Sequence, residues 1–381
     1  MKLNTLFFQF FSISNFFLNI FVVFLFLFFG YHDIAAQGFV IISITNIFTY
    51  GFSGNARNIY LGSKNITSIK KLISFRLIVS LFSILISVFA IYYFISKPNV
   101  FYLIGISMLT ISSFIFELLI ARTEKNNLLN KYHALNIILF FIITTILIYM
   151  GLLNYFIFYI FIYTFMNFII FKGFFRNLFI KEIDYLAIIR ANYKINIFST
   201  LLKTISNLIW RYSALILLGN SKSATLFLAF SLGSFFGTIF DISYGALLLK
   251  KLKISINTTL NIFFLFYAFL IYLVITFFKN FSRMTNIESD FLHIATFYSL
   301  LGSYVMLHAL QIRQKYFEIS ETQYICFKTD IIIYCFISLI IPILYWFNAN
   351  LLVCAYLISS TFSYLMYRFG VQNDFKDKLN K

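Results

Sequence analysis

The chain has 381 residues, of which 61% are hydrophobic and only 11% are charged, and its formal net charge is +17 at pH 7. Its mean hydropathy is +0.88. These values exclude an ordinary soluble domain, which carries far more charged surface, and indicate a polytopic membrane protein.

Apolar segments follow one another along the whole chain. A membrane-spanning helix needs about 20 apolar residues, and about twelve segments meet that requirement. They lie near residues 6–29, 35–53, 72–96, 99–120, 135–151, 153–171, 196–218, 223–249, 259–278, 291–312, 329–347 and 349–367. We therefore predict an all-α polytopic membrane protein with about twelve transmembrane helices in two six-helix lobes around a central cavity.

The longest predicted cytoplasmic connection divides these spans into two equal sets. We predict an N-terminal lobe over 1–171, a linker over 172–195, a C-terminal lobe over 196–367 and a basic cytoplasmic tail over 368–381. The two lobes also begin alike, which favours an internal repeat related by an axis along the membrane normal. The matching residues are Ser14-Asn15 with Ser206-Asn207, Asn19 with Arg211, Gly30 with Gly219, and Tyr50-Gly51 with Tyr244-Gly245.

The distribution of basic residues predicts the orientation of the chain. Of 30 lysines and arginines, the predicted external segments hold only Lys97, Lys222, Lys279 and Arg283. Cytoplasmic loops of membrane proteins are enriched in Lys and Arg, so we place both termini in the cytoplasm. The basic excess then reflects topology and some attraction to anionic lipid, and it does not indicate nucleic acid.

The seventh predicted span carries Lys203, Asn207 and Arg211 at intervals of four residues. Residues spaced in this way share one face of a helix, so the span presents a polar stripe. An intramembrane cation costs roughly 2.5–3.5 kcal/mol on insertion scales, which favours a role in a pathway for an anion. Arg211 is the strongest candidate ligand because guanidinium binds phosphate bidentately. Whether the two cations instead extend to the membrane surfaces stays open.

Three asparagines within spans extend the candidate binding site. Asn15 and Asn19 form a stripe on the first span that corresponds to the stripe on the seventh, and Asn46 lies on the second span. Their amides are predicted to hydrogen-bond to substrate. The open alternative is that they only join neighbouring helices.

Carboxylates within the spans are few. Asp241 on the eighth span lies at the depth of Lys203, given a rise of about 1.5 Å per residue, so we predict an ion pair or a coupling role for it. Arg76, Glu117 and Asp330 lie near predicted cytoplasmic ends, and we interpret them as interfacial; the two acids could instead couple ion movement.

The chain shows no pattern typical of an enzyme. Its 3 cysteines and 4 histidines are scattered without metal-ligand spacing. The predicted external loops are short and carry few acids, which disfavours a membrane glycosyltransferase or polymerase. We expect no catalytic residue, no metal and no cofactor.

Four stretches carry a family resemblance: N-F-F-L-N-I at 15–20, D-I-A-A-Q-G-F-V at 33–40, Y-G-F-S-G-N-A-R at 50–57, and S-N-L-I-W-R at 206–211 with its Leu-Gly turn at 218–219. With the layout of the whole chain, they resemble bacterial O-antigen flippases. These polysaccharide transporters are related to the multidrug and toxin extrusion proteins.

The resemblance implies a V-shaped bundle in the bacterial inner membrane that moves an undecaprenyl-pyrophosphate-linked oligosaccharide by alternating access. It also implies contact with membrane lipids and with polysaccharide assembly enzymes. The alternative is an ion-coupled small-molecule exporter of the multidrug branch. That branch usually relies on an acid in its first lobe, and the first two predicted spans contain none.

Overall fold

The computed structural model describes residues 3–52, 56–62, 69–94, 100–126, 131–175, 193–249, 256–281, 289–317 and 323–371. Within these ranges the structure is 96% helical and contains no strands, so the predicted all-α polytopic class is confirmed. The helices are α1 (Leu3–Phe28), α2 (His32–Phe48), α3 (Ala56–Gly62), α4 (Ile69–Phe94), α5 (Val100–Lys125), α6 (Lys131–Tyr149), α7 (Leu153–Ile170), α8 (Lys172–Phe175), α9 (Tyr193–Leu249), α10 (Ile256–Phe281), α11 (Ser289–Phe317), α12 (Gln323–Phe347) and α13 (Ala355–Leu365). Short 3-10 turns at Tyr50–Phe52 and Ala349–Cys354 and a π turn at Met366–Val371 complete them.

Within the described ranges, 8 helical segments are long and apolar enough to cross a membrane. One of them, Ile197–Gly237, is 41 residues long and covers two predicted spans. The protein therefore has several membrane-spanning helices, while the number of twelve and the orientation of the termini stay predictions.

The long helix α9 reverses direction at Gly219. This residue has φ 72° and ψ 179°, a conformation that side chains with a Cβ rarely adopt. Trp210 lies before the turn, and its ring centroid is 4.8 Å from that of Phe230 beyond it. Such a contact between residues twenty positions apart requires the two halves of α9 to form a hairpin. Gly30 also has a positive φ of 89°, so both glycines predicted to lie in turns do so.

The chain forms two compact units. Unit 1 comprises Met1–Leu201 and Asp241–Leu252, and unit 2 comprises Leu202–Phe240 and Lys253–Lys381. The predicted lobe boundaries stay predictions, and most of the predicted linker (176–192) and tail (372–381) lies outside the described residues.

Helix α5 forms the centre of unit 1. Every residue from Leu109 to Ala121 is buried, because α1, α2, α4 and α7 pack around this helix. The short helix α3 joins this core through Arg57, whose Nη2 lies 2.8 Å from Oε2 of Glu124. The Lys125 ammonium donates to the carbonyl oxygen of Tyr60 at 2.9 Å and fixes the other end of α3.

The outer faces of the unit 1 helices are apolar. On α4, Leu81, Phe82 and Leu85 are exposed to 65%, 60% and 68%. On α7, Phe158 and Phe165 are equally open. Large apolar surfaces of this kind are costly in water but match the hydrocarbon core of a bilayer, which agrees with a membrane-spanning protein.

Close helix packing in unit 2 depends on two glycines. A Cβ added to Gly233 on α9 would lie 2.6 Å from the backbone of Ser299 on α11. A Cβ on Gly302 of α11 would lie 3.0 Å from the backbone of Leu357 on α13. Small residues at such points let membrane helices approach closely, so these contacts set the spacing of α9, α11 and α13.

We expect Gly233→Ala to lower the free energy of unfolding by about 1–3 kcal/mol, because the new methyl group collides with backbone that cannot rotate away. Gly237→Ala is the matched control, since a Cβ there meets nothing within 4 Å. Thermal unfolding of the purified protein in detergent measures both. Equal unfolding temperatures for the two variants would contradict the close approach of α9 and α11.

Candidate functional site

The polar stripe predicted on the seventh span lies in the first half of α9. Lys203 and Asn207 are exposed, and Arg211 is half-buried. The three residues lie on successive turns and together extend about 12 Å along the helix. Exposure therefore decreases along the stripe, from the exposed Lys203 to the half-buried Arg211.

Exposed isoleucines mark the opposite face of the same helix. Ile205, Ile209 and Ile216 are exposed to 40%, 42% and 64%. At about 100° per residue, these three lie about 180° around the helix axis from the polar stripe. The isoleucine face matches hydrocarbon in character, whereas intramembrane charges normally line a cavity or contact protein.

Packing inside unit 2 fixes the rotation of α9 about its own axis. Ser206 Oγ donates to the carbonyl oxygen of Tyr334 on α12 at 2.9 Å. The buried Trp210 packs against Phe227 and Phe230 from the second half of the hairpin. Ser206 and Trp210 lie on the side of the helix between the isoleucines and the stripe. Their contacts fix the rotation of α9 and therefore the direction of the stripe within unit 2.

The two asparagines of α1 lie inside unit 1. Asn15 is 1% exposed, and its Nδ2 donates to the carbonyl oxygen of Ser113 on α5 at 3.0 Å. Asn19 is also buried, and its Oδ1 has no hydrogen-bond partner among the described residues. In this structure Asn15 thus joins two helices, as the open alternative proposed, while its predicted contact with substrate stays a prediction.

Asn46 lies half-buried near the end of α2, and its Oδ1 is without a hydrogen-bond partner in the described part of the chain. The preceding residue, Thr45, is fully buried; its Oγ1 lies 3.1 Å from Ser87 Oγ on α4 and 3.3 Å from Ser107 Oγ on α5. Hydroxyl groups therefore connect three helices one residue away from Asn46.

Asp241 belongs to the second half of α9, but its side chain lies outside the described residues. The ion pair predicted between Asp241 and Lys203 therefore stays a prediction, as does a coupling role for this carboxylate.

A buried ion pair in unit 1 corrects the interpretation of Arg76 and Glu117 as interfacial residues. Arg76 is 2% exposed, and its Nη1 lies 2.7 Å from Oε2 of Glu117. The same Nη1 donates to the carbonyl oxygen of Phe114, and the guanidinium carbon lies 4.2 Å from the centroid of the Phe114 ring. An interfacial anchor needs its charge at the membrane surface, whereas this pair is enclosed between α4 and α5.

A second buried ion pair in unit 2 corrects the interfacial interpretation of Asp330. Its carboxylate is fully buried and accepts hydrogen bonds from Arg313, from Nε at 2.9 Å and 3.2 Å and from Nη2 at 2.7 Å. The hydroxyl of Tyr367 also donates to Asp330 Oδ1. The cluster thus ties α11, α12 and the π turn at the C-terminal end of unit 2 together.

Within the described ranges, no group of three or more His, Cys, Asp or Glu side chains that could hold a metal ion comes together. Taken with the apolar outer faces and the buried ion pairs, the fold defines a multi-pass α-helical membrane protein.

Comparison with protein-family models, curated proteins and solved structures finds no match to the chain.

Proposed function

We propose that this protein is a flippase that carries an undecaprenyl-pyrophosphate-linked oligosaccharide, such as an O-antigen repeat unit, across the bacterial inner membrane by alternating access. One observation carries the proposal: the stripe of Lys203, Asn207 and Arg211 lies on the face of α9 opposite its exposed isoleucines. A polar pathway with two cations favours an anionic cargo.

The chemistry of the stripe suits a pyrophosphate headgroup. The guanidinium of Arg211 offers parallel N–H donors that match two phosphate oxygens, and the ammonium of Lys203 adds a more mobile positive charge. Asn207 lies between them and supplies an amide that donates to and accepts from sugar hydroxyls. We assign the headgroup contacts to these three residues and a helix-joining role to Asn15.

Replacing Arg211 by alanine is expected to reduce transport of the lipid-linked oligosaccharide by about 30-fold or more, because an enclosed charge contact with phosphate is lost. The measurement is display of surface polysaccharide in a bacterial host whose own copy of the gene is replaced by the variant. Lipid-linked repeat units should accumulate in the inner leaflet at the same time.

Lys172→Ala is the matched control, since it removes an exposed lysine from α8. It should leave polysaccharide display unchanged. The membrane content of each variant is measured by immunoblotting. Normal display in an Arg211→Ala strain with normal protein abundance would overturn the assignment of this arginine.

The buried carboxylates Glu117 and Asp330 favour one alternative, an ion-coupled exporter of small molecules, with Asp241 as a further candidate for coupling. Each buried carboxylate is already held by an arginine, so a transported cation would compete with a guanidinium. Reconstituted protein distinguishes the two functions. Export of a small organic cation that requires an imposed proton or sodium gradient, without movement of lipid-linked oligosaccharide, would support the exporter.

A further inference from the structure

Helix α11 of unit 2 is less apolar than the helices between which it packs. It has 29 residues, enough to cross a bilayer, but it is not among the 8 apolar segments found in the described ranges. Its backbone lies directly against Gly233 of α9, and its own Gly302 lies against Leu357 of α13. Both partner segments are among those 8. Helix α11 thus lies beside membrane-spanning helices while it carries polar groups that such helices usually lack.

One face of α11 carries a row of polar side chains, and we call it the polar face. Tyr304, His308 and Gln311 on this face are half-buried, and Lys315 near the end of the helix is exposed. At about 100° per residue, the four lie within an arc of about 60° and extend about 16 Å along the axis. The fully buried Ala309 lies about 130° away around the helix. The polar face is therefore separate from the packed surface of α11.

Contacts within unit 2 hold the ring of Tyr304 at the centre of this face. Its hydroxyl donates to Oδ1 of Asn261 on α10 at 2.7 Å. Its ring centroid lies 4.9 Å from that of Phe264 on α10. It also lies 4.8 Å from the centroid of the His308 imidazole, with the two planes at 83°. The position of the ring is therefore set by the protein and does not depend on a ligand.

Uncharged hydrogen-bonding groups surround this ring. Asn261 is exposed, and its amide carries two N–H donors. The neutral imidazole of His308 has one donor and one acceptor. Gln311 lies about one turn beyond His308, and its Nε2 is enclosed without a hydrogen-bond partner among the described residues. An enclosed amide donor of this kind costs free energy until an oxygen atom accepts from it.

The chemistry of the polar face distinguishes between kinds of partner. Hydrocarbon is a poor partner, since a phenol hydroxyl, an imidazole and two amides beside lipid chains would lose their hydrogen bonds to water. Phosphate is also a poor match, because Lys315, the charged member of the row, lies about 16 Å from Tyr304 along the axis. A sugar ring matches the face: its hydroxyls donate and accept as amides and imidazole do, and its C–H surface packs against an aromatic ring.

We propose that Asn261, Tyr304, His308 and Gln311 form a binding site for a neutral sugar of the oligosaccharide cargo. Tyr304 supplies the aromatic surface on which the sugar ring lies, and the three other side chains hydrogen-bond to its hydroxyls. The inference rests on the proposed function and names the part of the cargo that this site recognises, which is the sugar and not the pyrophosphate. All four residues belong to unit 2.

The test compares the binding of two lipids to the full-length protein in detergent. One is the lipid-linked oligosaccharide extracted from the bacterial host, and the other is undecaprenyl pyrophosphate, which lacks the sugar. We expect the parent protein to bind the oligosaccharide lipid more tightly. Tyr304→Ala and Gln311→Ala should each weaken that binding about 10-fold, because the aromatic surface or the amide is lost. Both variants should bind undecaprenyl pyrophosphate as the parent does, since that lipid has no sugar to contact the site.

Tyr324→Ala is the matched control, because it removes an exposed tyrosine from α12, another helix of unit 2. It should bind both lipids like the parent protein. Unchanged binding of undecaprenyl pyrophosphate also shows that a variant is folded. Equal loss of both lipids in Tyr304→Ala and Gln311→Ala, or loss of neither, would overturn the inference. A changed oligomeric state in light scattering, without a change in lipid binding, would overturn it too and assign the face to contact between copies of the chain.

Failure of this inference is distinguishable from failure of the proposed function. A parent protein that binds both lipids equally tightly, and loses both in Arg211→Ala, would overturn the sugar site and leave the flippase proposal intact. A parent protein that binds neither lipid would overturn both.

Discussion

Asp330→Ala is expected to lower the free energy of unfolding by roughly 3–5 kcal/mol, which is the cost of leaving one partner of a buried ion pair uncompensated. The substitution removes the acceptor of both Arg313 and Tyr367 from a site where the carboxylate is fully buried. The guanidinium of Arg313 would then stay enclosed in the protein without the carboxylate that balances its charge. Chemical or thermal unfolding of the purified protein in detergent measures the loss.

The double variant Arg313→Met/Asp330→Leu distinguishes a charge effect from a packing effect. It replaces both charges with apolar groups, and such replacements of buried pairs are often neutral. We therefore expect it to be much more stable than Asp330→Ala. Asp290→Ala, at an exposed position on α11, serves as the control for loss of an aspartate. If Asp330→Ala unfolds like Asp290→Ala, the buried cluster does not stabilise unit 2.

Arg76→Ala is expected to destabilise the protein by a similar amount, roughly 3–5 kcal/mol, because it leaves the Glu117 carboxylate buried beside α4. The arginine also donates to the Phe114 carbonyl group and packs over the Phe114 ring, so its loss removes contacts in addition to the charge. Unfolding measured by loss of helical circular dichroism reports the change.

A double-mutant cycle isolates the coupling within this pair. Arg76→Met, Glu117→Leu and the combined variant are compared with the parent protein, and we expect a coupling energy of about 0.5–3 kcal/mol. Lys131→Ala is the control for loss of an exposed cation from a neighbouring helix. Additive effects of Arg76→Met and Glu117→Leu would show that the two side chains do not stabilise each other.

The sequence was sufficient to predict the helical class and the turns at Gly30 and Gly219, because long apolar runs with isolated glycines leave few other arrangements in a bilayer. It also indicated the stripe on α9, since helical periodicity alone aligns Lys203 with Arg211. The exposed isoleucines on the opposite face of α9 became apparent only from the exposure of each side chain in the structure.

The buried ion pairs had a sequence signal that the interfacial interpretation missed. Arg76 lies seven residues after the start of α4, and Glu117 lies eight residues before the end of α5. Both are therefore about 10–12 Å along the axis from helix ends that the predicted topology places on the same side of the membrane. The depth argument that pairs Lys203 with Asp241 applies equally to them. Which helices are neighbours, however, depends on packing between residues 41 positions apart, and periodicity carries no information about that.

The hairpin at Gly219 has a consequence for how the chain enters the membrane during synthesis. The two halves of α9 are joined through a single non-helical residue, Gly219. No longer loop lies between them that would let one half enter the membrane well before the other. The half with Lys203 and Arg211 is costly to insert alone, whereas residues 223–240 carry no charge. We expect the translocon to release both halves into lipid together. The favourable insertion of the uncharged half then offsets the cost of inserting Lys203 and Arg211.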